Sequence, residues 1–250
     1  MNIMIFDTET ISLNKPFCYN IGYVIFDTDS HEVITSKDYV VEQIWKNKEL
    51  FSTAYYADKR PLYVSAMKGK KAIKKRYWMI MDSLKKDIQK YKVVAAYAYN
   101  SPFDINVFKF NCEWFKTFNP LEDIPVFDIR GYVMNKIAFT NEYKAFCENN
   151  NYFTEANNYS TTAENIYRFI TKNTNFIESH TALSDSEIEL QILIHCLALG
   201  AKLNTEYKVY KSVPRRTLKH IKVFKNMTLV YESDYIKRIN KKDEDSIYLD

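Results

Sequence analysis

The first forty residues constrain the fold more than any other stretch. Ile3-Met4-Ile5-Phe6 is a short continuous apolar run, the pattern of a strand buried on both faces near the middle of a sheet. Residues 20–26 read as a second strand, Asp27-Thr28-Asp29-Ser30 as a tight turn, and residues 32–41 as a third strand. Strand, turn, strand implies an antiparallel meander. Asp7-Thr8-Glu9 follows the central run directly. Residues i and i+2 of a strand share a face, so Asp7 and Glu9 project together off its carboxyl end. Two carboxylates about 4 Å apart repel by roughly 4 kcal/mol at an effective dielectric near 20. A divalent cation offsets such a cost. Ordinary surface acids in a turn or helix cap are the alternative at this point.

Helices and further strands follow. Residues 45–92 read as helical, with breaks near Arg60-Pro61 and Gly69. Ile73, Tyr77, Ile80, Leu84, Ile88 and Tyr91 recur at spacings of three and four, which predicts one helix through them all. Six cations fall within the nine residues 68–76. Lys70, Lys71, Lys74 and Lys75 are therefore candidates for phosphate contacts, with the solvated face of a core-packed helix as the alternative. Residues 93–97 form a short apolar strand leading into Asn100-Ser101-Pro102-Phe103-Asp104. Asn100 or Ser101 can cap a helix whose first turn takes Pro102 and Asp104. Residues 125–127 are a further strand candidate, with Asp128 as a cap or turn residue. The Asn-rich stretch 149–160 reads as a loop. Thr161 with Glu164, and Ser184 with Glu187, have the capping-box form. The second box puts Asp185 in the first turn of a buried helix running to Leu199, with His180 in the loop before it. His195, inside that helix, reads as a packed core histidine.

The bulk properties narrow the class. At 250 residues and 46% hydrophobic content, the chain suits one sizeable domain with an appendage. The net charge of +4 is compatible with a polyanionic partner. Four widely separated cysteines without a C-x-x-C pair read as buried free thiols of a reducing compartment. No apolar run is long enough for a membrane span and no signal-peptide pattern is present, so the expectation is a soluble, cytoplasmic protein. The glycine-rich phosphate loops are missing, which disfavours nucleotide hydrolysis of that type. Residues 201–250 change character, with basic clusters at 215–225 and 237–242.

Four carboxylates and one imidazole thus fall at consistent places. Asp7 and Glu9 end a strand, Asp104 and Asp185 open two helices, and His180 lies beside Asp185. In an open α/β sheet, sites form at the carboxyl ends of strands. Hard oxygen ligands suit two divalent ions, Mg²⁺ or Mn²⁺, which support phosphodiester cleavage. An imidazole can take a proton from water at neutral pH.

The order D-T-E, N-x-x-F-D, H-x-A-x-x-D over residues 1–200 resembles the DEDDh, or DnaQ-like, 3′–5′ exonucleases of the ribonuclease H-like superfamily. Thr181 stands where the tyrosine-bearing sister group has its Tyr, so the histidine version applies. The resemblance implies an α/β fold: a ribonuclease H-like mixed sheet, an antiparallel three-strand meander plus parallel strands, flanked by helices. It implies an exonuclease domain over 1–200 with a basic helical insertion near 45–92, and a basic extension or small subdomain at 201–250. Asp7 would bridge both metals, Glu9 and Asp185 would hold the one that binds the attacking water, and Asp104 would support the second. His180 would be the general base. Thr8 and Thr10 would meet the terminal nucleotide, Phe103 would lie against a base or in the core, and Asn100 would support its turn. The implied partner is a nucleic acid with a free single-stranded 3′ end, DNA favoured over RNA, with a replication or polymerase partner as a further possibility. An accessory binding module and an endonuclease on the same fold are the competing functions. Tyr55-Tyr56 matches no motif of the family, and packing is its default role.

Overall fold

The computed structural model describes residues 1–215 and, as backbone alone, two strands beyond them. Strand β1 (Asn2–Thr10) pairs antiparallel with β2 (Cys18–Asp27), and β2 with β3 (Glu32–Val41), giving the expected meander. The acids Asp7 and Glu9 sit inside β1 rather than beyond its end, because Thr8 and Glu9 continue the pairing to Ile21 and Asn20.

Residues 42–92 depart from the expected helices. Two short helices, α1 (Glu42–Lys46) and α2 (Lys48–Ser52), precede a 3₁₀ turn at Ala57–Lys59 and α3 (Arg60–Lys68). Ile73–Lys75 is then a strand, β4, parallel to Tyr39–Val41 of β3. The long helix α4 (Tyr77–Lys90) starts only after it. Ile73 fits the helical spacing, yet it is 42% exposed. The open edge of β3 claims its backbone instead, satisfying donors and acceptors that an edge strand would leave unpaired. Lys70, Lys71, Lys74 and Lys75 therefore share no helix face. Lys70 and Lys71 lie in the preceding turn, and Lys75 Nζ donates to Ser83 Oγ at 3.0 Å.

The sheet is completed by β5 (Val93–Ala98), parallel to β1, and β6 (Val126–Asp128), parallel to β5. Its six strands run β4-β3-β2-β1-β5-β6, the expected mixed sheet of an antiparallel meander plus parallel strands. Helix α5 (Ser101–Phe115) follows β5, and α6 (Ile129–Lys136) follows β6. Asp128 caps α6, accepting from Arg130 N, and also accepts from Asn100 N, which ties the two β–α turns together. Next come α7 (Asn141–Asn150), the two-residue β7 (Asn158–Tyr159), α8 (Ala163–Thr171) and α9 (Ala182–Ala198). Helix α8 is capped by Thr162 rather than Thr161, and α9 starts two residues before the expected cap Ser184.

The alternation of β1 sorts its side chains into two cores. Met4 and Phe6 pack with α4 and α5 on one face, and Ile3 and Ile5 with α6 and α9 on the other. All four cysteines are buried free thiols. His195 is only partly buried. No helix of the described residues is long and apolar enough to cross a membrane. After α9 the chain packs back onto the body. Tyr207 lies over Gly131 of α6, and β8 (Val213–Pro214) pairs with β7. Strands β9 (Leu218–Val223) and β10 (Leu229–Ser233) form an antiparallel pair. The remaining members of the basic clusters, Arg216, Lys225, Lys237, Arg238, Lys241 and Lys242, lie outside the described residues.

Candidate active site

The site forms where α9 touches the sheet. Asp7 and Glu9 continue the Ile3–Ile5 face of β1, which is the face that α9 covers. Asp7 is directly opposite Gly22 of β2, and a Cβ on Gly22 would fall 2.0 Å from Leu183 N. The first turn of α9 thus rests on bare backbone, and that close approach delivers Asp185 to the acids of β1. Asn20, opposite Glu9, fixes the helix start: its Oδ1 accepts from Ala182 N at 2.8 Å. A side chain of β2 therefore caps α9, which is why no capping box of its own marks the helix start.

Gly22→Ala is accordingly expected to lower stability by about 3 kcal/mol or more, because the clash is with backbone that cannot repack. For a chain of this size that is roughly 6–12 °C in Tm, read by thermal melting. A variant melting within 2 °C of wild type would mean that α9 is free to shift.

Metal-competent atoms of Glu9, His180 and Asp185 lie within 4.8 Å of one another. Asp7 lines the same cavity of about 700 Å³, together with Thr8, Thr10 and Phe103. Asp104 lies behind this surface, 1% exposed, and accepts from Thr8 Oγ1 at 2.6 Å. Thr8 points to the α5 face, so it bridges the Asp104 helix to the acid-bearing strand. Asn100 and the four lysines Lys70, Lys71, Lys74 and Lys75 do not line the cavity. Asn100 is in the left-handed conformation at the start of α5 and holds the turn before Asp104.

Two further carboxylates complete the cluster. Glu189 is 4% exposed, lines the cavity and accepts from Tyr99 N at 3.1 Å. It lies one helical turn from Asp185, and a carboxylate at i+4 on an otherwise apolar helix was its signal in the sequence. Glu178 also lines the cavity, with its Oε2 3.8 Å from His180 Nδ1. Nothing in its local sequence distinguishes it from a loop acid.

The electrostatics follow from burying so many acids together. Burial, then the neighbouring charge on Asp7, pushes Asp185 up to about 10. Burial raises Asp7 to about 7, and burial with the charge of Glu164 raises Glu178 to about 7. Glu9, Asp104 and Glu189 are likewise held well above the usual carboxylate range, chiefly by burial. His180 is lowered, by burial first and then by Lys59, so the imidazole is neutral at pH 7. Asp185 Oδ1 is buried without any hydrogen-bond partner, the one such side-chain atom among the described residues. Buried polar atoms are nearly always satisfied. An orphaned carboxylate oxygen facing other carboxylates fits a cation ligand, and the all-oxygen acid set suits Mg²⁺ or Mn²⁺.

No family model and no curated protein matches the sequence. Among solved structures, the crystal structure of E. coli Exonuclease I in complex with a dA16 oligonucleotide is similar, with a TM-score of 0.44 and 14% identity over 77% of this chain. The match covers 40% of that structure's chain, so this chain spans well under half of it.

Proposed function

We propose that this protein is a metal-dependent 3′–5′ exonuclease that hydrolyses phosphodiester bonds at nucleic-acid 3′ ends and releases nucleoside 5′-monophosphates. DNA is the favoured substrate and an unpaired 3′ end the favoured form. The observation that carries this reading is the orphaned Asp185 Oδ1 beside Asp7, Glu9 and His180 in one cavity. These residues come from sequence motifs that resemble the DEDDh set in identity and order.

Each residue has a task that its position supports. Asp7, Glu9 and Asp185 would hold two divalent cations, with Asp104 acting through Thr8 or a water. Such ions, when bound, neutralise charge at the scissile phosphate and make a bound water acidic near neutral pH. His180, neutral at pH 7, accepts the proton of the attacking water. Thr8 and Thr10 line the floor that receives the terminal nucleotide, and Phe103 offers a ring at its edge.

The test is a ladder assay on 5′-labelled single-stranded DNA, matched RNA and duplex DNA with Mg²⁺ or Mn²⁺. Stepwise shortening from the 3′ end is expected. Mid-chain cuts would favour an endonuclease, and retarded substrate without products an accessory binding module. His180→Asn is expected to lower kcat by about 10²–10⁴-fold, the usual worth of a general base. Unchanged turnover in that variant would remove the imidazole from the mechanism.

A further inference from the structure

Tyr55 and Tyr56 belong to none of the three acidic motifs, yet both line the cavity. The Tyr56 ring lies flat on the His180 imidazole, with centroids 4.1 Å apart and planes 12° from parallel. Tyr55 meets Tyr56 edge-on at 4.8 Å. The imidazole makes no hydrogen bond among the described residues, since Glu178 Oε2 at 3.8 Å is beyond bonding range. General bases are ordinarily oriented by a hydrogen bond to their second nitrogen. Here an aromatic face stands in that place.

The backbone of His180 is held by the same segment. His180 has φ +54, a left-handed conformation uncommon for a side-chain-bearing residue. Tyr63 OH donates to the His180 carbonyl at 3.3 Å. Tyr63 is itself buried, edge-on to Tyr19 and Trp45. On the other side of His180, Asn20 holds Ala182 N. Ring and carbonyl are thus gripped by residues 56 and 63, and the chain after them by β2.

We propose that Tyr56 is the positioning residue for His180, with Tyr63 fixing the backbone beneath it. The segment between β3 and β4 then works as a brace for the general base. This rests on the exonuclease reading for its catalytic consequence, though the brace itself does not. Loss of the ring lets the imidazole swing, and a misplacement of about 1 Å in a reacting group costs on the order of 100-fold in rate.

The experiment compares Tyr56→Phe, Tyr56→Leu, Tyr63→Phe and His180→Asn in the full chain. Steady-state cleavage of single-stranded DNA with Mn²⁺ gives kcat and KM. NMR of ¹⁵N-histidine-labelled protein gives the imidazole proton shifts. Only four histidines are present, so His180→Asn assigns the signal. Tyr56→Phe keeps the ring and is expected to retain kcat within about twofold. Tyr56→Leu should lower kcat about 10- to 100-fold with KM within about threefold. It should also move the His180 signals downfield as the ring current is lost. Tyr63→Phe should give a smaller kcat loss with the ring-current shift retained. Wild-type kcat in Tyr56→Leu where His180→Asn is impaired, or unmoved His180 signals, would overturn the proposal. If instead His180→Asn keeps full activity while Tyr56→Leu moves the His180 signals, the brace stands and the exonuclease mechanism falls.

Discussion

Asp7→Asn is expected to abolish cleavage and, at pH 8 without metal, to raise the melting temperature. Asp7 faces the cavity beside Glu9, Asp185 and Glu189, and burial lifts it to about 7. At pH 8 it is therefore ionised against its environment. The penalty is set by the gap between the folded value and the ordinary one, about three pKa units at about 1.4 kcal/mol each, or on the order of 4 kcal/mol. Asparagine keeps the shape and drops the charge, so a gain of about 8–16 °C in EDTA follows for a chain of this length. Turnover should fall by on the order of 10³-fold or more, because the acid proposed to bridge the cations is gone. The pairing of lost activity with gained stability marks a functional site, where strain is retained for chemistry. Cleavage at the wild-type rate would refute the metal assignment. A marked loss of stability would mean that Asp7 is a structural acid.

The second expected result concerns the protein without metal as pH rises. Asp7, Glu178 and Asp185 all have folded values raised above those of the unfolded chain. Their protonated forms favour the native state. That contribution is complete below about pH 4 and is lost as pH climbs through about 7 for Asp7 and Glu178, and about 10 for Asp185. Stability falls by up to about 1.4 kcal/mol per pH unit for each titrating group. In EDTA, the melting temperature should drop by at least about 10 °C between pH 5.5 and pH 8. Saturating Mn²⁺ or Mg²⁺ at about 100 times its Kd adds roughly 2.7 kcal/mol at pH 8, recovering about 5–10 °C. At pH 5.5 the same ions should add little, because protons compete for the carboxylates. An upward slope from pH 5.5 to 8 in EDTA, or an equal metal effect at both values, would contradict the clustering of these acids.

The residues that meet in the cavity were easier to read from the sequence than the architecture around them. Asp7 and Glu9 were legible because strand alternation fixes which neighbours share a face. Asp104 was legible because Asn100 and Pro102 mark the start of α5. The edge strand β4 was hidden, since Ile73 continues a helical spacing and only the unpaired edge of β3 overrules it. The start of α9 was hidden for a similar reason, its cap being Asn20 from a strand some 160 residues earlier in the chain. Glu178 and Tyr56 reach the cavity through loop paths that no local pattern encodes. Gly22 looked like any strand glycine, and only the close approach of Leu183 explains it.

The most direct measurement is the anomalous difference map of crystals soaked in MnCl₂. Two peaks in the cavity, with Asp7 between them and at least one in direct contact with Asp185 Oδ1, are the predicted result. A map without a peak between Asp7, Glu9 and Asp185 at saturating Mn²⁺ would contradict the assignment of these acids as a cation-binding catalytic centre.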